Sequence, residues 1–99
     1  MADIKLKDLR YLVAVADTRH FGRAAEQTFV SQPTLSAQLK KLEDYLGVQL
    51  IERSPKRIAL TPTGEAIVAR ARQMIAASDE IVSLARSSQD PLAGRIKLA

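Results

Sequence analysis

Gln32, Thr34, Ser36 and Gln38 place hydrogen-bonding side chains at every second position of one short segment. Gln can hold adenine through two hydrogen bonds, Ser and Thr can bond either base type, and a Thr methyl can meet the methyl of thymine. Just ahead, Ser31-Gln32-Pro33 has the chemistry of a helix start. Ser31 suits the N-cap, and Pro33 falls in the first turn, where its missing N–H breaks no intrahelical bond. The free N–H groups of such a start also suit a phosphate. Lys40 and Lys41 follow on the same segment, and Arg53, Lys56 and Arg57 crowd a turn further on. These residues offer base reading and phosphate neutralisation.

Catalysis finds no comparable set. The 99 residues contain one His and no Cys, which excludes a disulfide scaffold, a thiolate zinc site and a thiol redox centre. No cofactor and no metal are expected, and neither is an enzyme. There is no phosphate-cradling Gly loop, nucleophile elbow or HExxH pattern. His20, between Arg19 and Phe21, reads as structural rather than catalytic. Glu43-Asp44 is an adjacent acidic pair at a helix end, not a spaced dyad. The net charge of +4 permits nucleic acid as a partner without establishing it. Residues 1–61 hold ten basic and seven acidic groups, so one face rather than the whole domain must carry the positive charge. No run approaches the ~20 apolar residues of a membrane span, and the start lacks a signal-peptide core. A cytoplasmic protein is the expectation.

Several elements must position these residues. Leu6, Leu9, Leu12, Val13 and Ala16 recur at threes and fours, which predicts a helix over residues 5–19. Phe21-Gly22 reads as a joint, followed by a compact helix from about Arg23 to Thr28. The third helix runs from Ser31 to about Leu46, with Leu35, Leu39, Leu42 and Leu46 on one face and Gly47 as its stop. After Gly47 the period shortens. Val48–Arg53 and Arg57–Thr61, joined by Ser54-Pro55-Lys56, read as a small hairpin. Thr61-Pro62 opens a final helix that meets no breaker from Gly64 to Gln89, ~42 Å long. Arg95-Ile96-Lys97-Leu98 alternates like a strand without a partner, so the chain reads as a fragment whose next domain is absent.

The second and third helices together meet the demands of a helix-turn-helix. Ala24-Ala25 allow a close crossing, Val30 seals the turn, and Leu35 and Leu39 face inward. Phe29 stands where this motif often has Gly, which makes a positive φ costly and predicts a turn that differs in detail. The hairpin would then be a wing, with Arg53, Lys56 and Arg57 on the DNA backbone. Ile67, Ala71, Met74, Ser78, Ile81 and Ala85, with Val68, Ile75 and Val82 alongside, form a seven-residue repeat on the last helix. About sixty preceding residues make a body too small to cover that helix, so a homodimer seam is expected. The fold expected is mainly α: a winged helix-turn-helix of three helices and a two-stranded β wing, followed by a long dimerisation linker helix. A winged helix that uses the same face for a protein partner is the alternative.

Phe21-Gly22-Arg23-Ala24-Ala25-Glu26, Val30-Ser31-Gln32-Pro33-Thr34-Leu35-Ser36, Leu42-Glu43, Leu46-Gly47-Val48, Glu52-Arg53 and Leu60-Thr61 with Gly64 resemble the N-terminal domain of LysR-type transcriptional regulators. The resemblance covers residues 4–89. Arg19-His20-Phe21 with Ser31–Ser36 is most similar to the peroxide-responsive OxyR branch. It implies a bacterial regulator that binds an interrupted palindrome in double-stranded DNA, with T and A at its ends. It also implies Gln32, Pro33, Thr34 and Ser36 as base readers, Arg53 in the minor groove, and an antiparallel pair of linker helices. A higher homo-oligomer is expected of the full-length protein. The domains implied are 1–61 for DNA binding, 62–89 for the linker, and 90–99 for a hinge and the start of an absent effector-binding domain.

Overall fold

The computed structural model describes residues 4–54 and 57–89. Helix α1 spans Leu6–Thr18, α2 Phe21–Thr28, α3 Gln32–Leu46 and α4 Pro62–Gln89, with strands β1 (Ile51–Arg53) and β2 (Ile58–Leu60) between the last two helices. The proposed terminal strand in residues 91–99 lies outside the described residues.

Most helix ends follow the local chemistry. Ser31 Oγ accepts the Thr34 N–H at 3.2 Å, which caps α3 beside its first-turn proline. Gly47 ends that helix at φ 74°, its N–H donating to the Glu43 carbonyl. Thr61 Oγ1 accepts the Gly64 N–H at 2.9 Å and so caps α4.

Two junctions differ from expectation. Phe21 and Gly22 are not a joint but the first turn of α2, because His20 caps the helix through its ring. The chain makes its bend one residue earlier, at Arg19, whose φ of 55° ends α1. Phe29 adopts the left-handed conformation in spite of its side chain, at φ 59°. Its N–H donates to the Glu26 carbonyl and that of Val30 to the Ala25 carbonyl, so the turn keeps the hydrogen bonds a glycine would have given. Phe29 is 94% exposed, so packing of its ring does not hold it there, and the left-handed cost of ~1–2 kcal/mol between Cβ and the carbonyl oxygen is borne at the turn.

Leu12, Val15, Ala24, Leu35, Leu39, Leu50 and Ile51 form the centre of one core, with Ala24 and Ala25 letting α2 approach its neighbours. The wing is antiparallel, pairing Ile51 with Leu60 and Arg53 with Ile58. Its strands are shorter than the apolar runs suggested. Beyond Ile51, hydrogen bonds from the Thr61 N–H to the Leu50 carbonyl and from Thr61 Oγ1 to the Gln49 carbonyl hold the base of the wing instead.

Helix α4 starts against this base. A Cβ on Gly64 would fall 2.1 Å from the Leu50 carbonyl oxygen, so only glycine permits the approach. The helix then runs antiparallel to α1. Arg19 pairs with Glu65, Asp17 with Arg72 and Arg10 with Asp79, each step down α1 matching a step up α4. The Asp17 hydrogen bond raises the pKa of the Arg72 guanidinium above its ordinary value.

This arrangement divides the seven-residue seam. Val68 and Ala71 are buried in the chain's own core and Ile67 packs against it, contrary to a single seam for a partner. Helix α1 reaches these first turns and covers them. Ile75 and Ser78 are half-buried, while Met74, Ile81, Val82 and Ala85 are exposed. Leu84, outside the repeat, is exposed as well.

Candidate nucleic-acid interface

Helix α3 sets the interface because its inward face is saturated. Leu35, Leu39 and Leu42 are buried, which turns the opposite side outward. Pro33, Thr34, Lys40 and Lys41 lie exposed on that side, with Ala37 at its centre. Polarity alone does not single out Ala37, yet a small residue there lets the helix approach closely. Gln32 is exposed on the flank toward the wing, and Ser36 is half-buried. Gln38 is half-buried on the other flank, in a groove shared with Ile4, Asp8, Lys41 and Tyr45 of the α1 side. Ser31 is exposed but engaged in capping, its hydroxyl 2.9 Å from that of Thr34. Lys40 is paired with Asp44 at 3.3 Å, an exposed pair of small energy that leaves the ammonium available to a stronger anion.

The wing carries Arg53 and Arg57, both exposed. Lys56 lies outside the described residues. Arg53 is aimed by two contacts: its guanidinium lies over the Phe21 ring, 5.3 Å from the centroid, and 4.0 Å from Glu43 Oε1. Ser54 closes the turn, its hydroxyl donating to the Arg57 carbonyl at 2.9 Å and accepting the Arg57 N–H at 3.1 Å. Gln32 and Arg57 line one cleft with Arg19 and His20, so the wing and the start of α3 border a common surface.

Glu43 is the residue that positional logic missed. It is buried, and one carboxylate oxygen accepts the N–H groups of Leu50 and Ile51 at 2.8 and 3.2 Å. A carboxylate here satisfies two backbone donors at the wing's start and holds the wing to α3. The signal was available, since Glu43 falls beside Leu39 on the apolar face of the helical wheel.

Among the described residues, no group of three or more His, Cys, Asp or Glu side chains could hold a metal. No described helix is long and apolar enough to cross a membrane.

Known proteins share this architecture. Residues 6–65 match the family model for the bacterial regulatory helix-turn-helix protein, lysR family. The chain is 43% identical over 93 residues to the HTH-type transcriptional regulator EstR of Acinetobacter baylyi, covering 94% of this chain and 31% of that protein. A full-length OxyR variant from Pseudomonas aeruginosa superposes with a TM-score of 0.86 at 49% identity, over 89% of this chain and 30% of that one. The BenM DNA-binding domain, solved in complex with benA site 1 DNA, superposes with a TM-score of 0.83 at 34% identity, over 89% and 99%. The chain thus spans about a third of the length of the curated relatives it matches. With three helices, a two-stranded wing and a long helix in the family's order, and with the family model matching most of its length, this chain belongs to the LysR family of bacterial transcriptional regulators and forms its helix-turn-helix DNA-binding domain.

Proposed function

We propose that the chain binds double-stranded DNA sequence-specifically as a homodimer, with α3 in the major groove and the wing on the flanking minor groove and backbone. One observation carries this reading: the buried leucines of α3 leave Gln32, Pro33 and Thr34 exposed at its N-terminus, next to Arg57 of the wing. In that position Gln32, Pro33, Thr34 and Ser36 read base edges. Ser31, Gln38, Lys40, Lys41, Lys56 and Arg57 contact the backbone, and Arg53 enters the minor groove. The solved BenM domain with DNA supports DNA as the partner. The exposed part of the α4 seam, Met74, Ile81, Val82 and Ala85 with Ile75 and Ser78, supplies the dimer contact. On this reading, residues 1–61 read DNA, 62–89 link two copies, and 90–99 lead to an effector-binding domain.

The whole protein would act in the cytoplasm as a regulator of transcription. The 49% identity to an OxyR favours the peroxide-responsive branch. The sensing chemistry of that branch lies beyond these cysteine-free residues.

Selection from a random DNA pool, followed by titration of the selected duplex, tests the reading. Gln32→Ala is expected to cost ~1–3 kcal/mol on the selected site and little on random DNA. Equal losses on both would remove Gln32 as a base reader. Affinity that persists at high salt without sequence preference would point to a protein-binding winged helix instead.

A further inference from the structure

The start of α2, the start of α3 and the wing enclose an open cleft of about 270 Å³. Its polar lining is Arg19, His20, Gln32, Ser54 and Arg57, with no carboxylate among the lining residues. Three other grooves on the surface each include an acid: Glu43 and Asp44, Asp17, and Asp8. An anion entering this cleft therefore meets donors and positive charge, with Glu65 reaching only Arg19 from outside the lining.

The donors are not equivalent. Arg19 is occupied: its Nε donates to the Ala16 carbonyl at 3.0 Å and its guanidinium pairs with Glu65. Ser54 is spent on closing the wing turn. The Arg57 guanidinium has no partner among the described residues. His20 is held by its own helix. Nδ1 accepts the Arg23 N–H at 3.1 Å, and Gly22 leaves the ring its space, since a Cβ there would come 3.0 Å from His20 Cε1. A ring nitrogen that accepts a hydrogen bond carries no proton, so in the capped ring the hydrogen resides on Nε2. The cap thus fixes the tautomer and makes the exposed nitrogen a donor.

We propose that this cleft seats a DNA phosphate, with His20 donating from Nε2 as a neutral ring and Arg57 supplying the charge. The proposal rests on the DNA-binding reading above and adds a backbone contact from the first helix of the helix-turn-helix. That helix crosses the backbone in this motif, and Gln32 of the reading helix borders the same cleft. The two donors would work differently. Arg57 would displace a counterion on binding, whereas His20 would contribute a directional hydrogen bond to a charged acceptor and displace none.

Fluorescence anisotropy on a selected and a random duplex, across a salt series, tests this with the 99-residue chain. His20→Asn and His20→Ser put a capping oxygen in place of Nδ1 and lose the Nε2 donor. Both should unfold at the parent's urea midpoint and bind both duplexes about tenfold more weakly, with the salt slope unchanged. Arg57→Gln should weaken both as well and flatten the slope by ~0.9. Parent-like affinity of the two His20 variants would overturn the contact. A slope flattened to the Arg57 value would overturn the neutral ring, and a loss confined to the selected duplex would overturn the phosphate. If the parent chain binds neither duplex, the DNA-binding reading itself falls, and this inference with it.

Discussion

The two halves of α4 show what one apolar repeat can do in different surroundings. From Gly64 to Ala71 the stripe is buried, with Leu50 above its start and α1 along its side. From Met74 onward the same periodicity continues, yet Ile81 is 66% exposed, Met74 52% and Val82 46%. Nothing in the residue types separates the halves. Cover does: the last ion pair between α1 and α4 is Arg10–Asp79, and beyond it Ile81 and Val82 lie exposed. A hydrophobic period records that a face is to be covered, not by which chain.

On folding stability, the largest difference should come at the root. Gly64→Ala forces a Cβ toward the Leu50 carbonyl and is expected to cost roughly 3 kcal/mol in urea unfolding. A neutral result would break the comparison, since the near half would then not be held against the wing. Between the halves, Arg72→Met removes the ion pair with Asp17 but keeps an apolar stem. Because both groups are half-exposed, the loss should be ~0.2–1 kcal/mol and should shrink further in salt. The far half should be the least sensitive. Ile81→Glu is expected to change folding stability by no more than ~0.5 kcal/mol, while light scattering shows monomers in place of dimers. A dimer that survives would move the contact elsewhere on the chain and leave the exposed face without its assigned partner.

Much of this was legible from local chemistry. Ser31 with Pro33, Gly47, and Thr61 with Pro62 mark helix ends through single-residue properties, and the structure places the ends there. The outward face of α3 was legible because burial of Leu35, Leu39 and Leu42 leaves only one way to orient the rest. The misses are of two kinds. His20 caps α2 with a ring nitrogen, an uncommon cap, so Phe21-Gly22 read as a joint. Phe29 takes a conformation its own side chain disfavours, because the turn's hydrogen bonds and the helix crossing outweigh a local preference. Glu43 read as half of an adjacent acidic pair at a helix end, whereas it is buried and its partners are backbone N–H groups seven and eight residues on. The first two are local devices of uncommon chemistry; only Glu43 answers to partners further along the chain.

The contact between Gly64 and Leu50 also makes a lever of the molecule. Because the helix root is pressed on the base of the wing, a rotation of the wing would carry with it a 28-residue arm. At ~1.5 Å per residue, a tilt of roughly 10° at the root sweeps the far tip by about 7 Å. That is about two steps of ~3.4 Å along a DNA strand. Run in reverse, a displacement of that size applied at the tip would become a small rotation of the wing. A single hydrogen atom in place of a methyl group is the hinge pin of that gearing.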